Sequence, residues 1–194
     1  MPNRSSQIQM MAALNGIASF SDTAPASAYP ERLRRYPPAP NIYAHCPQYV
    51  PDLDSDIRET FDPCKNAGLE YSDIQPFVAY DGQGRCVGRI AGIINHRANE
   101  KWQTRNVRFG LIEFTDDPDV SEGLLKAVEV WGRERGMTHI QGPMGIFDFD
   151  KEGMLVEDFD QMGSMITIYN PSYYPRHLEA LGYRKEVDWV QVRI

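Results

Sequence analysis

Three groups of residues have the types and spacing for chemistry. The first is an acidic turn, Thr115-Asp116-Asp117-Pro118-Asp119, between an apolar run ending at Phe114 and an amphipathic run that follows. A strand-to-helix turn of this kind is where nucleotide- and coenzyme-binding folds seat phosphates, because unpaired N–H groups and the positive helix end meet there. The second is Asp148-x-Asp150-x-Glu152-Gly153, which has the opening of a calcium loop but carries Phe159 at the twelfth position, where such a loop needs Glu. A solvated acidic loop or a partner surface is the better reading. The third is the scatter of His45, His96, His139 and His177 with Cys46, Cys64 and Cys86. None stands at metal-ligand spacing or beside a nucleophile pattern, so no metal site is expected and reduced, partly buried thiols are the default. His96 with Arg97, Asn99 and Glu100 has the composition of a pocket lining, although a solvated loop is the commoner state of such a histidine.

These residues need elements to hold them. The acidic turn sits inside a strand–helix–strand unit. Arg105–Phe114 reads as a strand, and the helix after it runs to Arg135 with Asp117 as N-cap and Pro118 at its first position. Val120, Leu124, Ala127, Val128 and Trp131 form its apolar stripe, Gly136 ends it, and Thr138–Gly142 is the returning strand. Such a βαβ unit is right-handed and nucleates a parallel sheet. Before it, Pro76–Tyr80 and Arg85–Asn95 make a hairpin about Asp81-Gly82-Gln83-Gly84. Gly88 and Gly92 on one face of its second strand imply a bulge or a closely packed neighbour. His96–Thr104 reads as a polar loop and 52–61 as a short acidic helix. After the unit come a long irregular stretch over 143–164, a short strand over 165–169, a helix over 173–181 ended by Gly182, and a final alternating strand over 184–194. A loop that long in a compact domain is usually functional or mobile.

The 194 residues fit one domain with a tail, and 42% hydrophobic content supplies a real core. A net charge of −7 argues against a nucleic-acid or anionic-membrane surface. No run approaches a membrane span and the apolar stretch over 8–20 is too weak for a signal peptide, so a cytoplasmic protein is expected. Residues 1–40 are rich in Pro, Ser and Ala and hold a basic knot at Arg32, Arg34 and Arg35. They read as a flexible extension, with a short helix near 8–14, before a domain over 41–194. Docking of the basic arm on nucleic acid is disfavoured.

The segments 77–82, 87–95, Gly142-Pro143-Met144-Gly145, 151–157 and Leu181-Gly182-Tyr183 resemble a group of bacterial GNAT-like proteins, members of the N-acetyltransferase superfamily, over about residues 42–194. The resemblance implies an α/β fold of the mixed α+β kind: a GNAT-like central mixed sheet flanked by helices, with the flexible N-terminal extension outside it. It also implies that the chain is the N-terminal half of a two-half protein. The partner is then a downstream GNAT-like half or a second copy, with a small-molecule amine as acceptor and acetyl-CoA or another acyl-CoA as cofactor. Attack of the amine on an acyl thioester, with backbone N–H groups polarising the carbonyl, is the implied chemistry. The acceptor is expected where the sheet splays, with Gly142, Met144, Asp148, Asn170 and Tyr173 as pocket candidates.

The chain departs from the family's pattern at two places. The turn that should read R/Q-x-x-G-x-G/A holds no glycine, places Pro118 where an N–H is needed, and puts three aspartates at the positive helix end. A pyrophosphate meets like charge there. The family's general acid, a tyrosine, falls on Leu178, leaving Tyr173 and Tyr174 one turn earlier as catalytic candidates or as packing residues. Two readings follow: an N-acyltransferase-like enzyme with a degenerate CoA turn, or a non-catalytic half that binds a ligand or supports a catalytic half.

Overall fold

The structure, a computed structural model, describes residues 4–13, 42–163 and 167–192. In chain order its elements are β1 (Arg4–Ala13), α1 (Asp54–Thr60), β2 (Ser72–Tyr80), β3 (Cys86–Asn95), α2 (His96–Trp102), β4 (Asn106–Phe114), α3 (Pro118–Glu134), β5 (His139–Gly142), β6 (Met154–Leu155), α4 (Tyr173–Ala180) and β7 (Arg184–Val192). The fold is mixed α/β, as the sequence implies. β2, β3 and β4 are antiparallel neighbours, and β5 joins β4 in parallel. β1 runs antiparallel to β5, β6 and β7.

The sheet has two covered faces. On one, α3 lays Leu124, Leu125, Val128 and Trp131 over Ile90 and Ile94 of β3 and Val107 and Phe109 of β4. Each such side chain contributes about 1.5–3 kcal/mol by leaving water. The closeness that Gly88 and Gly92 imply is real: a Cβ at Gly88 would lie 2.7 Å from Leu124, and one at Gly92 3.0 Å from the Trp131 ring. On the other face Phe61, Ile74, Ala91, Ile93 and Ile146 make a smaller core under α1 and the loop after β5. The helix signals of α3 act as read. The Asp117 side chain accepts from Asp119 N at 3.0 Å, and Gly136 takes φ 78° beyond the C-terminus.

Three expectations change. A helix was expected over 8–14, inside an extension expected to be flexible; Arg4–Ala13 is instead a strand of the sheet, and residues 14–41 lie outside those described. The stretch read as a loop begins with α2, whose cap is the Asn95 side chain accepting from Ala98 N at 2.8 Å. The strand expected over 165–169 falls partly outside the described residues, and 167–169 are not a strand; the local pairing is made by β6, inside the long loop.

The feature that shapes the site is the parting of β4 from β5. They pair for three residues, Asn106 with His139, Val107 with Ile140 and Arg108 with Gln141, and then separate. Phe109 O is taken by Met144 N at 2.9 Å, and Gly142 passes so close that a Cβ there would sit 2.3 Å from Phe109 O. On its other edge β4 carries a bulge: Glu113 pairs with Arg89 and Gly110 with Ala91, so Leu111 and Ile112 oppose the single residue Ile90. Leu111 has φ 50°, the left-handed region that a branched side chain adopts only under constraint. Because backbone atoms, not a flexible side chain, bound Gly142, the variant Gly142→Ala is expected to destabilise by about 1–3 kcal/mol. Urea unfolding checks this, and an unchanged midpoint would show that the strands part without needing glycine.

Candidate functional site

The parting and the bulge open a cavity of about 460 Å³. In a regular strand alternate residues face one side. Here three consecutive residues, Leu111, Ile112 and Glu113, line the cavity, because the bulge re-aims the chain. Arg89 faces it from the neighbouring strand, Tyr43 and Tyr49 from the segment before α1, Met154 from β6, and Asn170 and Tyr174 from the start of α4. Val50 and Leu53 line it while remaining 63% and 65% exposed, which marks them as its mouth.

The charged pair at the centre is Arg89 and Glu113, cross-strand partners with Nη2 3.3 Å from Oε2. Both side chains are nearly out of water, at 6% and 14% exposure. Burial raises the Glu113 carboxyl from 4.5 to about 7; Arg89 pulls it back and Asp52 pushes it further up. Desolvation therefore outweighs the ion pair, and Glu113 sits where it can both take and give a proton near neutrality. Tyr43 and Tyr49 stack at 3.6 Å between ring centroids, 9° from parallel, and the Tyr169 ring meets Tyr43 edge-on at 6.3 Å. Burial raises the Tyr49 phenol to about 12 and lifts that of Tyr43 above its ordinary value, so both are neutral hydroxyls in water's usual pH range.

Loops brace the walls. Asn170 pairs with β6 as a strand would, its Oδ1 accepting from Leu155 N at 2.7 Å and its Nδ2 donating to Leu155 O at 3.2 Å. Lys151 and Asp52 form an ion pair between the loop after β5 and the segment before α1. Gln48 Nε2 donates to Asp160 O at 3.2 Å, a second tie between the same two stretches.

Of the residues singled out from sequence, Asn170 and Tyr174 lie on the cavity. Gly142 and Met144 are buried beside it, engaged in packing and in the bond to Phe109. Asp148 is exposed on the loop, and its neighbour Asp150 accepts from Ile146 N and Phe147 N at 2.7 and 2.9 Å. Tyr173 donates to Phe114 O at 2.6 Å, and Tyr174 accepts from Phe114 N at 2.8 Å. The two hydroxyls thus fasten α4 to the end of β4, and burial raises both phenols. Leu178, at the family's acid position, is core.

The residues that sequence reading missed are Glu113, Arg89, Tyr43 and Tyr49. Arg89 is the one charge in β3, and Glu113 closes the apolar run 109–112 in β4, which is the signal that could have found them.

The acidic turn does not fit a pyrophosphate. Asp119 N is held by the Asp117 side chain, and Val120 N and Ser121 N both bond Asp117 O. Asp116 is held by His177, whose Nε2 lies 2.8 Å from Asp116 Oδ1 while Nδ1 lies 2.8 Å from Ser121 Oγ. Every donor at the helix end is already paired, among carboxylates.

Fold and cavity thus define a mixed α/β domain with a ligand-sized, carboxylate-bearing cavity between parted strands. The chain is 32% identical over 161 residues to the bacterial ceramide synthase of Caulobacter vibrioides (strain NA1000 / CB15N), covering 82% of this chain and 42% of that protein. It is 31% identical over 155 residues to Protein YghO of Escherichia coli (strain K12), covering 78% of this chain and 39% of that protein. The chain spans about two fifths of the length of these curated relatives. No family model matches the sequence. Among the described residues no helix is long and apolar enough to cross a membrane.

Two outcomes follow from the site. The raised Glu113 carboxyl binds its proton more tightly folded than unfolded. Its contribution to stability is therefore fully present below pH 4.5 and lost as the pH rises to about 7. Over that window this group is expected to remove on the order of 3 kcal/mol, and Glu113→Gln should flatten the profile measured by denaturant titration. Separately, acetyl-CoA titrated into the protein up to millimolar concentration is expected to leave the melting temperature unchanged. A saturable rise that Asp117→Asn strengthens would show that the turn seats the pyrophosphate after all.

Proposed function

We propose that this chain forms the acceptor side of an N-acyltransferase: it binds an amine in the cavity, and Glu113 removes the proton that must leave as the amide forms. The observation that carries the reading is a buried carboxyl, raised to about 7, inside a cavity at the point where parallel strands part. The relative named bacterial ceramide synthase supports it, since a ceramide is an amide of a long-chain amino alcohol. The sequence resemblance to the GNAT superfamily supports it independently. Strands parting beside a βαβ unit are the setting in which the sequence resemblance places the acceptor.

The chemistry balances without a metal or redox partner. Glu113 takes the proton from the amine, whose nitrogen attacks the thioester carbonyl carbon. The C–S bond breaks, and the departing thiolate receives that proton to leave as a thiol. No step is routed through the acidic turn, whose residues do not fit the nucleotide end of CoA. The second reading, a non-catalytic ligand-binding half, is favoured by that turn and by the tied hydroxyls of Tyr173 and Tyr174.

A thioester without a pyrophosphate separates the two. With an N-acetylcysteamine thioester of a fatty acid as donor and n-octylamine as acceptor, amide formation is followed by mass spectrometry. Glu113→Gln is expected to lower the rate about 100-fold or more. The wild-type rate should rise with pH through about 7, as the base ionises, and then level off. Amide formed equally well by the variant removes Glu113 from the mechanism; no amide with the wild type leaves the non-catalytic reading standing.

A further inference from the structure

The walls of the cavity are not equally fixed. Behind it stand β3 and β4, held in the sheet. On one side are β6 and the stretch 167–170, tied together through both atoms of the Asn170 amide, and Gly153 N bonds Pro143 O at 2.8 Å. The remaining wall is the segment 44–53 between Tyr43 and α1, of which six consecutive residues, 48–53, line the cavity. This segment contains no helix or strand. Among the described residues its backbone bonds only locally, Cys46 N to Tyr43 O at 2.9 Å and Tyr49 N to Cys46 O at 3.1 Å, until Leu53 O accepts from the first turn of α1. None of these bonds reaches the sheet or the facing loop. Pro47 and Pro51 have no N–H to offer. No residue of the segment is fully buried.

Side chains do the fastening instead. The Tyr49 ring lies flat on that of Tyr43 and 6.4 Å from that of Tyr169. Gln48 donates to Asp160 O, and Asp52 pairs with Lys151, with both members of the pair about two fifths exposed. The two ends are anchored: Ile42 packs on the main core, and Ile57 of α1 on the smaller one. A stretch with fixed ends, few buried contacts and no ladder lies at the low end of local stability, where a structure opens first.

We infer that the segment 44–53 is a strap, hinged at Tyr43 and Leu53, that opens to admit a ligand to the cavity and closes over it. Opening parts Asp52 from Lys151 and Gln48 from Asp160, and peels the Tyr49 ring off Tyr43. The sheet wall with Arg89 and Glu113 then meets water, while the wall braced by Asn170 stays in place. The strap concerns access alone, so it stands or falls separately from acyl transfer, and its test uses neither amine nor thioester.

Cys46 reports the opening. It is half-buried within the strap, its thiol beside the Tyr169 hydroxyl, whereas Cys64 is exposed and Cys86 is half-buried on β3. Alkylation of the folded chain by N-ethylmaleimide at constant pH, followed by mass spectrometry, gives the rate at each of the three thiols. Asp52→Asn and Lys151→Ala each break the ion pair and are expected to speed Cys46 about twofold to fivefold, with Cys64 and Cys86 unchanged. The double variant should be no faster than the faster single one. Tyr49→Ala, which removes the stack, should speed Cys46 about tenfold or more. The first two substitutions change the local charge in opposite directions. An electrostatic effect on the thiol would therefore speed one and slow the other, and that result overturns the strap, as does an unchanged Cys46 rate in both. Equal acceleration of Cys86 also overturns it, since the sheet would then be what opens. A second thiol tests the entrance. Ile112→Cys places it at a buried position of the cavity lining, and Leu111→Cys, half-buried beside it, serves if the first variant does not fold. Its alkylation should accelerate in Lys151→Ala by the same factor as that of Cys46. A rate indifferent to the strap substitutions would show that the cavity fills by another route, and overturns the assignment.

Discussion

The ladder between β4 and β5 lasts for three residue pairs, and the rest of the structure depends on where it stops. Two parallel strands that separate inside a sheet leave backbone donors and acceptors unpaired, and a buried one costs as much as a lost hydrogen bond. The chain repairs that break piece by piece. Met144 N takes the Phe109 carbonyl, Gly153 N takes Pro143 O at 2.8 Å, and Arg108 Nη1 reaches the carbonyls of Gly145 and Ile146 at 3.0 and 3.1 Å. Asn95 donates to Ile146 O at 3.0 Å, and Asn170 stands in for a strand against Leu155. The long loop after β5 is thus the surface that closes the opening from one side, held in place by side chains from β3, β4 and the start of α4.

What could be read from the sequence, and what could not, divides along the range of the interactions. The helix α3 was legible because everything that specifies it is local: a capping aspartate, a proline at the first position, an apolar stripe and a terminal glycine. The β2–β3 hairpin was legible for the same reason, with Asp81 and Gly84 making its turn. The helix α2 was not, since His96–Trp102 has no apolar stripe; its start is held by Asn95, and its Asn99 side chain donates to Asn106 O at 3.0 Å. Strand β1 was misread because Arg-Ser-Ser-Gln-Ile-Gln-Met-Met-Ala-Ala shows no clear alternation, and its pairing comes from β5, β6 and β7, far away in the chain. The site suffered most. Arg89 and Glu113 could each be seen as a charge next to apolar neighbours, but their meeting depends on register, and the exposure of Glu113 to the cavity depends on a bulge. Neither can be read along one strand.

A buried ion pair is weak evidence for stability, because taking both charges out of water cancels most of their attraction. That argument applies here with a number attached: Glu113 is raised to about 7 even with a guanidinium 3.3 Å away. A core selected for stability alone would do better with two apolar residues at these paired positions, which sit beside Ile90, Ala91, Ile112 and Phe114. The pair is better understood as a proton acceptor kept at a useful strength. Arg89 prevents burial from neutralising the carboxyl altogether, and burial prevents Arg89 from making it an ordinary surface acid.

The same reasoning explains why the acids near the C-terminal end of β4 differ in kind. There the turn into α3 has three exposed aspartates: the Asp117 side chain accepts from Asp119 N, and Asp116 is held by His177. Carboxylates there stabilise the helix through its dipole, so their role in the turn is structural. Four residues earlier in the chain than Asp117, Glu113 has the same functional group in a buried setting, where desolvation raises it to about 7 against the pull of Arg89. What makes Glu113 a reactive acid is burial, which its Arg89 partner only partly offsets. The bulge at Leu111 decides this, because it determines whether Glu113 looks toward the solvent or into the opening between the strands.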